Sequence, residues 1–210
     1  MKYSNAVFAG LALGGLASAS PLGPRDAKPA ADIIGEIAPN SKTCADTTEC
    51  RTNVQAAPFF IDAFWKYGLK SYGQMAAVLS LTAYESADYK YKHNVYPGRP
   101  GQGTSNLQML NFNIEYANSI PELKDKVAAL GTIGDDPKKA NDLLALVTPD
   151  QYNFGSGPWF LTTHCTKEVV DGLASGTDAS WEAYMQCIGV ANTDDRKAYW
   201  TRAKTAFGLK

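Results

Sequence analysis

The strongest constraint on the fold is an uncharged run in the middle of the chain. From Tyr72 to Tyr84 there is no Asp, Glu, Lys, Arg or His, and Glu85 follows directly. A helix of this composition can be buried on nearly all sides. Ser71 and Gln74 match a capping box, which predicts that the helix begins there. The chain is therefore expected to fold around one buried central helix that ends in a carboxylate.

Helical patterns also dominate the flanking sequence. Apolar spacing, caps and helix-starting prolines predict roughly six to nine helices in all, with further segments at 59–67, 107–118, 121–130, 137–147, 166–174, 180–190 and 194–207. Residues 153–159 are rich in turn formers and predict a loop. Residues 88–92 alternate aromatic and polar side chains, which leaves room for a small β-hairpin. The expected fold class is mainly α.

The N-terminus has the pattern of a secretory signal. Lys2 precedes an apolar run from Ala6 to Ala17, and small residues follow at Ala19. We expect a signal peptide over 1–19, a loose leader or propeptide over the proline-rich residues 20–40, and one domain over 41–210. A run of about a dozen apolar residues is too short to span a bilayer. The mature protein is expected to be a secreted, soluble monomer.

Charge and cysteine content further limit the classes of protein to which this chain can belong. The formal net charge is −1 and the isoelectric point is about 6.1, so the composition has no excess of basic residues that would indicate binding to nucleic acid or acidic membranes. Four cysteines in a secreted chain imply two disulfides from three possible pairings. The most local pairing joins Cys44 to Cys50 and Cys165 to Cys187. Zinc is a poor alternative because the spacings are not those of metal sites, and no metal or cofactor is expected.

Glu85 and the loop that follows it look like parts of a ligand groove. Helical spacing places Glu85 on the face of Val78 and Leu81, where desolvation disfavours the charged form of a carboxyl group. A general acid requires this property. Residues 96–103 then hold three glycines and two prolines, which exclude a helix and bring backbone amides within reach of a ligand. A helical pattern restarts near Gln108.

The residues from Ala83 to Gln108 carry a family resemblance. Glu85-Ser86, followed by the segment Gly103 to Met109, is similar to the signatures of the lysozyme and lytic transglycosylase superfamily. The whole run AYESADYKYKHNVYPGRPGQGTSNLQ resembles the catalytic core of a fungal secreted muramidase family, glycoside hydrolase family 184. The similarity continues through GPWFLTTHC and WEAYMQCIG.

The resemblance implies a lysozyme-like domain that cleaves bacterial peptidoglycan between N-acetylmuramic acid and N-acetylglucosamine. Glu85 would be the general acid, and Asp88 a second carboxylate or a residue that positions water. Asp88 could equally be a structural cap. Candidate substrate-binding residues are the polar and aromatic side chains Tyr89, Asn94, Tyr96, Gln102, Thr104, Asn106, Gln108 and Trp159. For the aromatic members, the alternative is a place in the core.

Three alternatives remain open at this point. A lytic transglycosylase or a chitinase-like hydrolase would use the same acid on the same scaffold. A non-catalytic wall-binding or effector protein would share the fold without the catalytic activity.

Two features of the sequence bear against the acid role. An arginine in contact with Glu85 would oppose it, and Arg99 is the arginine nearest to Glu85 in the sequence. A near-neutral isoelectric point is also unlike the basic lysozymes that act on anionic walls.

Overall fold

The computed structural model describes residues 28–210. The expected signal peptide and the first part of the expected leader lie outside the described residues. The helices are α1 (Ala30–Ile37), α2 (Asn53–Lys66), α3 (Tyr72–Glu85), α4 (Leu110–Ser119), α5 (Lys124–Leu130), α6 (Pro137–Val147), α7 (Asp150–Asn153), α8 (Ser156–His164), α9 (Lys167–Gly172), α10 (Asp178–Cys187) and α11 (Asp194–Phe207). Short 3-10 turns cover Pro39–Lys42, Pro121–Leu123 and Leu173–Ser175. The fold is mainly α.

Helix α3 is the buried centre of the fold, as the uncharged run predicts. Ser71 Oγ accepts a hydrogen bond from the Gln74 backbone N–H, and the Gln74 side chain accepts one from the Ser71 N–H. The predicted capping box is thus present. Helix α11 packs along α3 more extensively than any other pair of described elements. This packing brings the C-terminal helix against the end of α3, where Glu85 lies.

Two apolar clusters divide the described core. The larger surrounds α3 and takes residues from α1, α2, α10 and α11, with Trp181 and Trp200 stacked at 5.2 Å between ring centroids. The smaller joins α4, α5, α6 and α8, with Tyr116 against Trp159 at 4.9 Å. The loop between α3 and α4 therefore connects a helix of the larger cluster to a helix of the smaller one.

The close approach of the 3-10 turn Leu173–Ser175 to α3 depends on a glycine. A Cβ atom at Gly73 would lie 2.0 Å from the backbone oxygen of Leu173, far inside contact distance. Only glycine fits at this position without moving the backbone. Gly73 therefore fixes how closely the C-terminal part of the chain approaches α3.

The N-terminal boundary differs from the prediction. The loose leader expected over 20–40 does not extend to its end, because residues 30–37 form α1 and pack against α2 and α11. Ile34 and Ile37 are buried in the larger cluster. Helical spacing of apolar residues outweighs the scattered prolines here, since Pro29 lies just before the first turn, where a proline costs no hydrogen bond.

Two further local predictions were wrong. In place of the hairpin that was considered for 88–92, residues 86–90 form a turn, and the described chain has isolated bridges at His93–Gly103 and Gly103–Gln108. Residues 153–159 are mostly helical, because Pro158 lies in the first turn of α8 and is tolerated there. The helices at 137–147 and 194–207 are confirmed.

Both disulfides follow the most local pairing. Cys44 is bonded to Cys50, and Cys165 at the end of α8 is bonded to Cys187 at the end of α10. Two disulfides are typical of proteins that fold in an oxidising compartment. No helix within residues 28–210 has the length and apolar composition needed to cross a bilayer.

Candidate functional site

Helix α3 ends in an unusual left-handed turn. Glu85 is its last residue, and after Ser86 the three residues Ala87, Asp88 and Tyr89 have φ angles of 52°, 61° and 62°. Ser86 holds this turn, because its Oγ donates to the Thr82 carbonyl at 2.6 Å and accepts from the Tyr89 N–H at 2.9 Å. Three consecutive non-glycine residues in this region are energetically costly. The turn sends the Glu85 and Asp88 side chains in different directions.

Asp88 lies inside the protein and away from Glu85's groove. The residue is 1% exposed. It accepts a hydrogen bond from the Asn40 backbone N–H at 2.9 Å and one from the Tyr199 hydroxyl at 2.7 Å. Burial and this hydrogen bond raise the pKa of Tyr199, so its hydroxyl remains a donor at neutral pH. The geometry gives Asp88 a structural role in fixing the left-handed turn to α11, and does not place it where substrate could reach it.

Glu85 opens onto a groove of about 430 Å³. One wall is the loop after α3, which contributes Arg99, Gln102 and Asn106 together with Gln108. The opposite wall comes from the start of α11 and the residues before it. The predicted placement of Glu85 beside the glycine-rich loop is therefore present in the structure. Apolar side chains complete the lining, among them Leu81, Leu107, Met109, Phe112, Phe160 and Val190.

A network of amides holds the loop wall in shape. Asn94 Nδ2 donates to Gln102 Oε1 at 2.6 Å, and Asn106 Nδ2 donates to Gln108 Oε1 at 3.2 Å. Gln108 Nε2 in turn donates to Asn113 Oδ1 at 2.8 Å. These side chains therefore use much of their hydrogen-bonding capacity in bonds to one another. Gln102, Asn106 and Gln108 still present their remaining surface to the groove.

The other predicted binding residues do not line the groove. Tyr89 and Trp159 are buried in the two cores, where their large apolar area outweighs any use as exposed platforms. Thr104 is buried with a φ of 65°, and Asn94 is buried beneath the loop. Tyr96 is 92% exposed and lies outside the groove. None of the three aromatic residues predicted to bind substrate, Tyr89, Tyr96 and Trp159, therefore lines the groove.

The immediate partner of Glu85 is Arg196 of α11, which the sequence did not indicate. Arg196 Nη2 donates to Glu85 Oε1 at 2.8 Å, and each side chain is 14% exposed. The guanidinium also donates to the Ala191 carbonyl at 3.2 Å and lies over the Tyr84 ring at 4.6 Å. An arginine in contact with Glu85 is the arrangement expected to oppose an acid role, and Arg196 makes this contact in place of Arg99. The 111 residues between the partners explain why no local pattern predicts it.

Three polar atoms around this pair have no hydrogen-bond partner in the described chain. They are Arg196 Nε, Asn106 Oδ1 and the Tyr184 hydroxyl, all buried. Burial raises the pKa of Tyr184, and the negative charge of Glu85 raises it further. The Tyr184 hydroxyl therefore stays neutral, and it lies close enough to Glu85 for the two groups to interact electrostatically. Unpartnered polar atoms are uncommon in protein interiors, and two of the five in the described chain, Arg196 Nε and Asn106 Oδ1, belong to residues that line the groove.

Metal binding has no obvious location in the described chain. Within residues 28–210, no three His, Cys, Asp or Glu side chains are grouped closely enough to hold an ion. His93 Nδ1 lies 2.8 Å from Glu49 Oε2, and His164 Nε2 lies 3.3 Å from Glu115 Oε2. Neither histidine lines the groove.

Comparison with known proteins gives one informative similarity. A stretch of 157 residues, 74% of this chain, is 48% identical to part of a bifunctional dioxygenase–epoxy alcohol synthase of Fusarium oxysporum. The chain covers 12% of that protein's length, so the similarity concerns a small part of a much larger polypeptide. No protein-family model matches the chain, and no solved structure matches it.

Proposed function

We propose that this protein is a secreted glycoside hydrolase of the muramidase type, with Glu85 as its general acid. The observation that carries the proposal is the position of Glu85, at the end of a buried helix and on the floor of a groove walled by a glycine-rich loop. Amide side chains in that wall suit the hydroxyl and N-acetyl groups of a glycan. The resemblance of residues 83–108 to secreted muramidases supports the same assignment.

In the proposed reaction, Glu85 donates its proton to the glycosidic oxygen of the leaving sugar as the bond to the anomeric carbon breaks. Water then adds to the anomeric carbon and gives up a proton to the Glu85 carboxylate, which restores the acid. Asp88 is not available to deliver that water, because its carboxylate is buried and already accepts two hydrogen bonds. The water must therefore be positioned by neutral groups of the groove or by the substrate itself.

One observation favours a second candidate, a lytic transglycosylase. Among the described residues that line the groove, Glu85 is the single carboxylate. A retaining double displacement by enzyme groups needs two carboxylates about 5 Å apart. With one, an internal hydroxyl or acetamido oxygen of the substrate can attack the anomeric carbon in place of a second carboxylate. Mass analysis separates the outcomes, because a transglycosylase yields an anhydro-sugar lighter by one water molecule.

The test is clearing of a bacterial cell-wall suspension by wild type and Glu85→Gln, compared at equal folded concentration. Loss of a general acid is expected to slow clearing by about 10²–10⁴-fold. Glu122→Gln is the matched control, since Glu122 is exposed and remote from the groove. Equal clearing by wild type and Glu85→Gln would refute the role of Glu85. Equal wall binding by both without any clearing would instead indicate a non-catalytic binding protein.

A further inference from the structure

A second groove, lined by apolar side chains, lies at the opposite end of α3 from Glu85. It consists of two adjoining depressions of about 250 and 300 Å³ that share the lining residues Ile61, Phe64 and Met75. The first lies between α1, α2, α3 and α11, and the second extends to Lys70. We call the two depressions together the α2 groove. No residue lines both the α2 groove and the groove of Glu85.

The α2 groove leaves large apolar side chains open to solvent. Its floor includes the buried Phe60, but Trp65 is 78% exposed, and Ile61 and Tyr72 are exposed as well. Exposed apolar surface in a concave site is typical of a place where a ligand or partner binds. The groove follows α2 from Ala57 to Trp65, which is about 12 Å at about 1.5 Å per residue. An elongated apolar groove suits an extended hydrocarbon chain better than a compact ring.

The charges of the α2 groove favour an anionic ligand. Lys28 and Lys70 are its charged lining residues, and no carboxylate of residues 28–210 lines it. Lys28 is already engaged, because its Nζ donates to Glu36 Oε2 at 2.7 Å and to the Ala206 carbonyl at 3.3 Å. Lys70 is exposed and forms no ion pair with another described residue. The ammonium group of Lys70 is therefore the one available to a negative charge on a ligand.

We propose that the α2 groove binds a long-chain carboxylic acid. The hydrocarbon chain lies along α2 over Ile61, Phe64 and Met75, and the carboxylate pairs with the Lys70 ammonium at the end of the groove. Burial of the chain supplies most of the affinity, because each methylene fully removed from water contributes about a factor of four. The contact with Lys70 selects an acid over a neutral lipid. The proposal is independent of the function assigned to Glu85.

Trp65 provides a direct readout of whether the groove is occupied. The chain has four tryptophans, and the other three, Trp159, Trp181 and Trp200, are buried. A ligand in the groove covers Trp65, so tryptophan emission should shift to shorter wavelength and become less accessible to acrylamide. The probe is tetradecanoate, kept below its micelle concentration. The expected result is saturable binding at one site per chain, and the absence of any saturable response would refute the proposal.

Two related ligands test the hydrocarbon chain and the head group separately. Octanoate is six methylenes shorter and should bind at least about fiftyfold more weakly, which is about a factor of two for each methylene in a groove open on one side. Methyl tetradecanoate lacks the charge and should bind about three- to fivefold more weakly, as expected for the loss of an exposed ion pair. Equal binding of octanoate and tetradecanoate would refute the chain site, and equal binding of acid and ester would refute the role of Lys70.

Substitutions at exposed positions locate the site on the protein. Lys70→Gln should abolish the preference for the acid over the ester, whereas Lys66→Gln should retain it, since Lys66 is exposed but does not line the groove. Ile61→Asp places a carboxylate in the apolar wall and should weaken tetradecanoate binding at least about tenfold. Val54→Asp is its matched control, exposed on the same helix and outside the groove. Near-ultraviolet circular dichroism verifies that each variant is folded. Unchanged binding by Ile61→Asp, or a preference that survives in Lys70→Gln, would overturn the assignment.

Vesicles distinguish a site for single molecules from a face that docks on a membrane, because exposed aromatic and basic residues also occur together at membrane surfaces. The same fluorescence titration is repeated with vesicles of phosphatidylcholine and phosphatidylglycerol. A response to dispersed tetradecanoate in the absence of vesicles is the expected result. A Trp65 signal that responds to the vesicles and not to dispersed tetradecanoate would overturn the proposal and identify a membrane-docking face instead.

Discussion

The buried carboxylate of Asp88 allows a quantitative test of the structural role assigned to it. The change to make is Asp88→Asn, because asparagine tolerates the left-handed φ of 61° and nearly preserves volume. Asp88 accepts two hydrogen bonds, from Asn40 N and from the Tyr199 hydroxyl. An asparagine amide has one acceptor oxygen and would turn its NH₂ towards the other donor. One of the two bonds is therefore lost.

A hydrogen bond to a charged group contributes about 1.5–3 kcal/mol, and a donor left buried without a partner adds to the cost. We expect Asp88→Asn to lower the free energy of unfolding by about 2 kcal/mol, and the melting temperature by about 4–8 °C for a domain of this size. Urea unfolding with the disulfides intact measures the free energy directly. Wall clearing per folded molecule should be unchanged.

The control is Asp62→Asn on α2, where the carboxylate is exposed and forms no ion pair or hydrogen bond within residues 28–210. Its effect should stay within about 0.5 kcal/mol. A loss as small as this in Asp88→Asn would show that the two contacts do not hold the turn. Normal stability with loss of clearing would contradict the structural role and would indicate instead that Asp88 takes part in the reaction.

Two further substitutions test packing and electrostatics. Gly73→Ala places a Cβ 2.0 Å from a backbone oxygen and should cost about 3 kcal/mol or more, whereas Gly172→Ala, with nothing within 4 Å, should be neutral or stabilising in the same urea assay. Lys204 holds the pKa of Asp178 below 3.8, so their pairing stabilises the fold above that pH and is lost as pH falls through the lowered pKa. Asp178→Asn should therefore flatten the loss of stability in acid, and an unchanged slope between about pH 4 and 2 would contradict this.

The parts of the fold that the sequence predicts are those set by local rules. The capping box of Ser71 and Gln74, the uncharged run and the end of α3 at Glu85 each depend on residues within a few positions of one another. The two disulfides also follow the shortest pairing. Placing Glu85 beside the 96–103 loop needed only the knowledge that the loop is short and cannot be helical.

The parts that the sequence does not predict depend on distant partners. Extending helical geometry past Glu85 would put Asp88 near it, but the chain turns left-handed at Ala87. Propensities disfavour that conformation for non-glycine residues, and the contacts that stabilise it come from Asn40 and Tyr199, which lie 48 and 111 residues from Asp88. Composition likewise cannot decide which aromatic side chains face solvent.

The two carboxylates at the end of α3 differ in whether their partners can be exchanged. Asp88 is held by the Asn40 backbone N–H and the Tyr199 hydroxyl, and neither residue lines the groove. Glu85 is held by Arg196, a side chain that itself lines the groove. A ligand can therefore change the surroundings of Glu85 without unfolding anything, whereas a change around Asp88 requires breaking the contact between the turn and α11. The left-handed turn separates a carboxyl group held inside the protein from one that lines the groove, and only the second lies where a ligand can touch it.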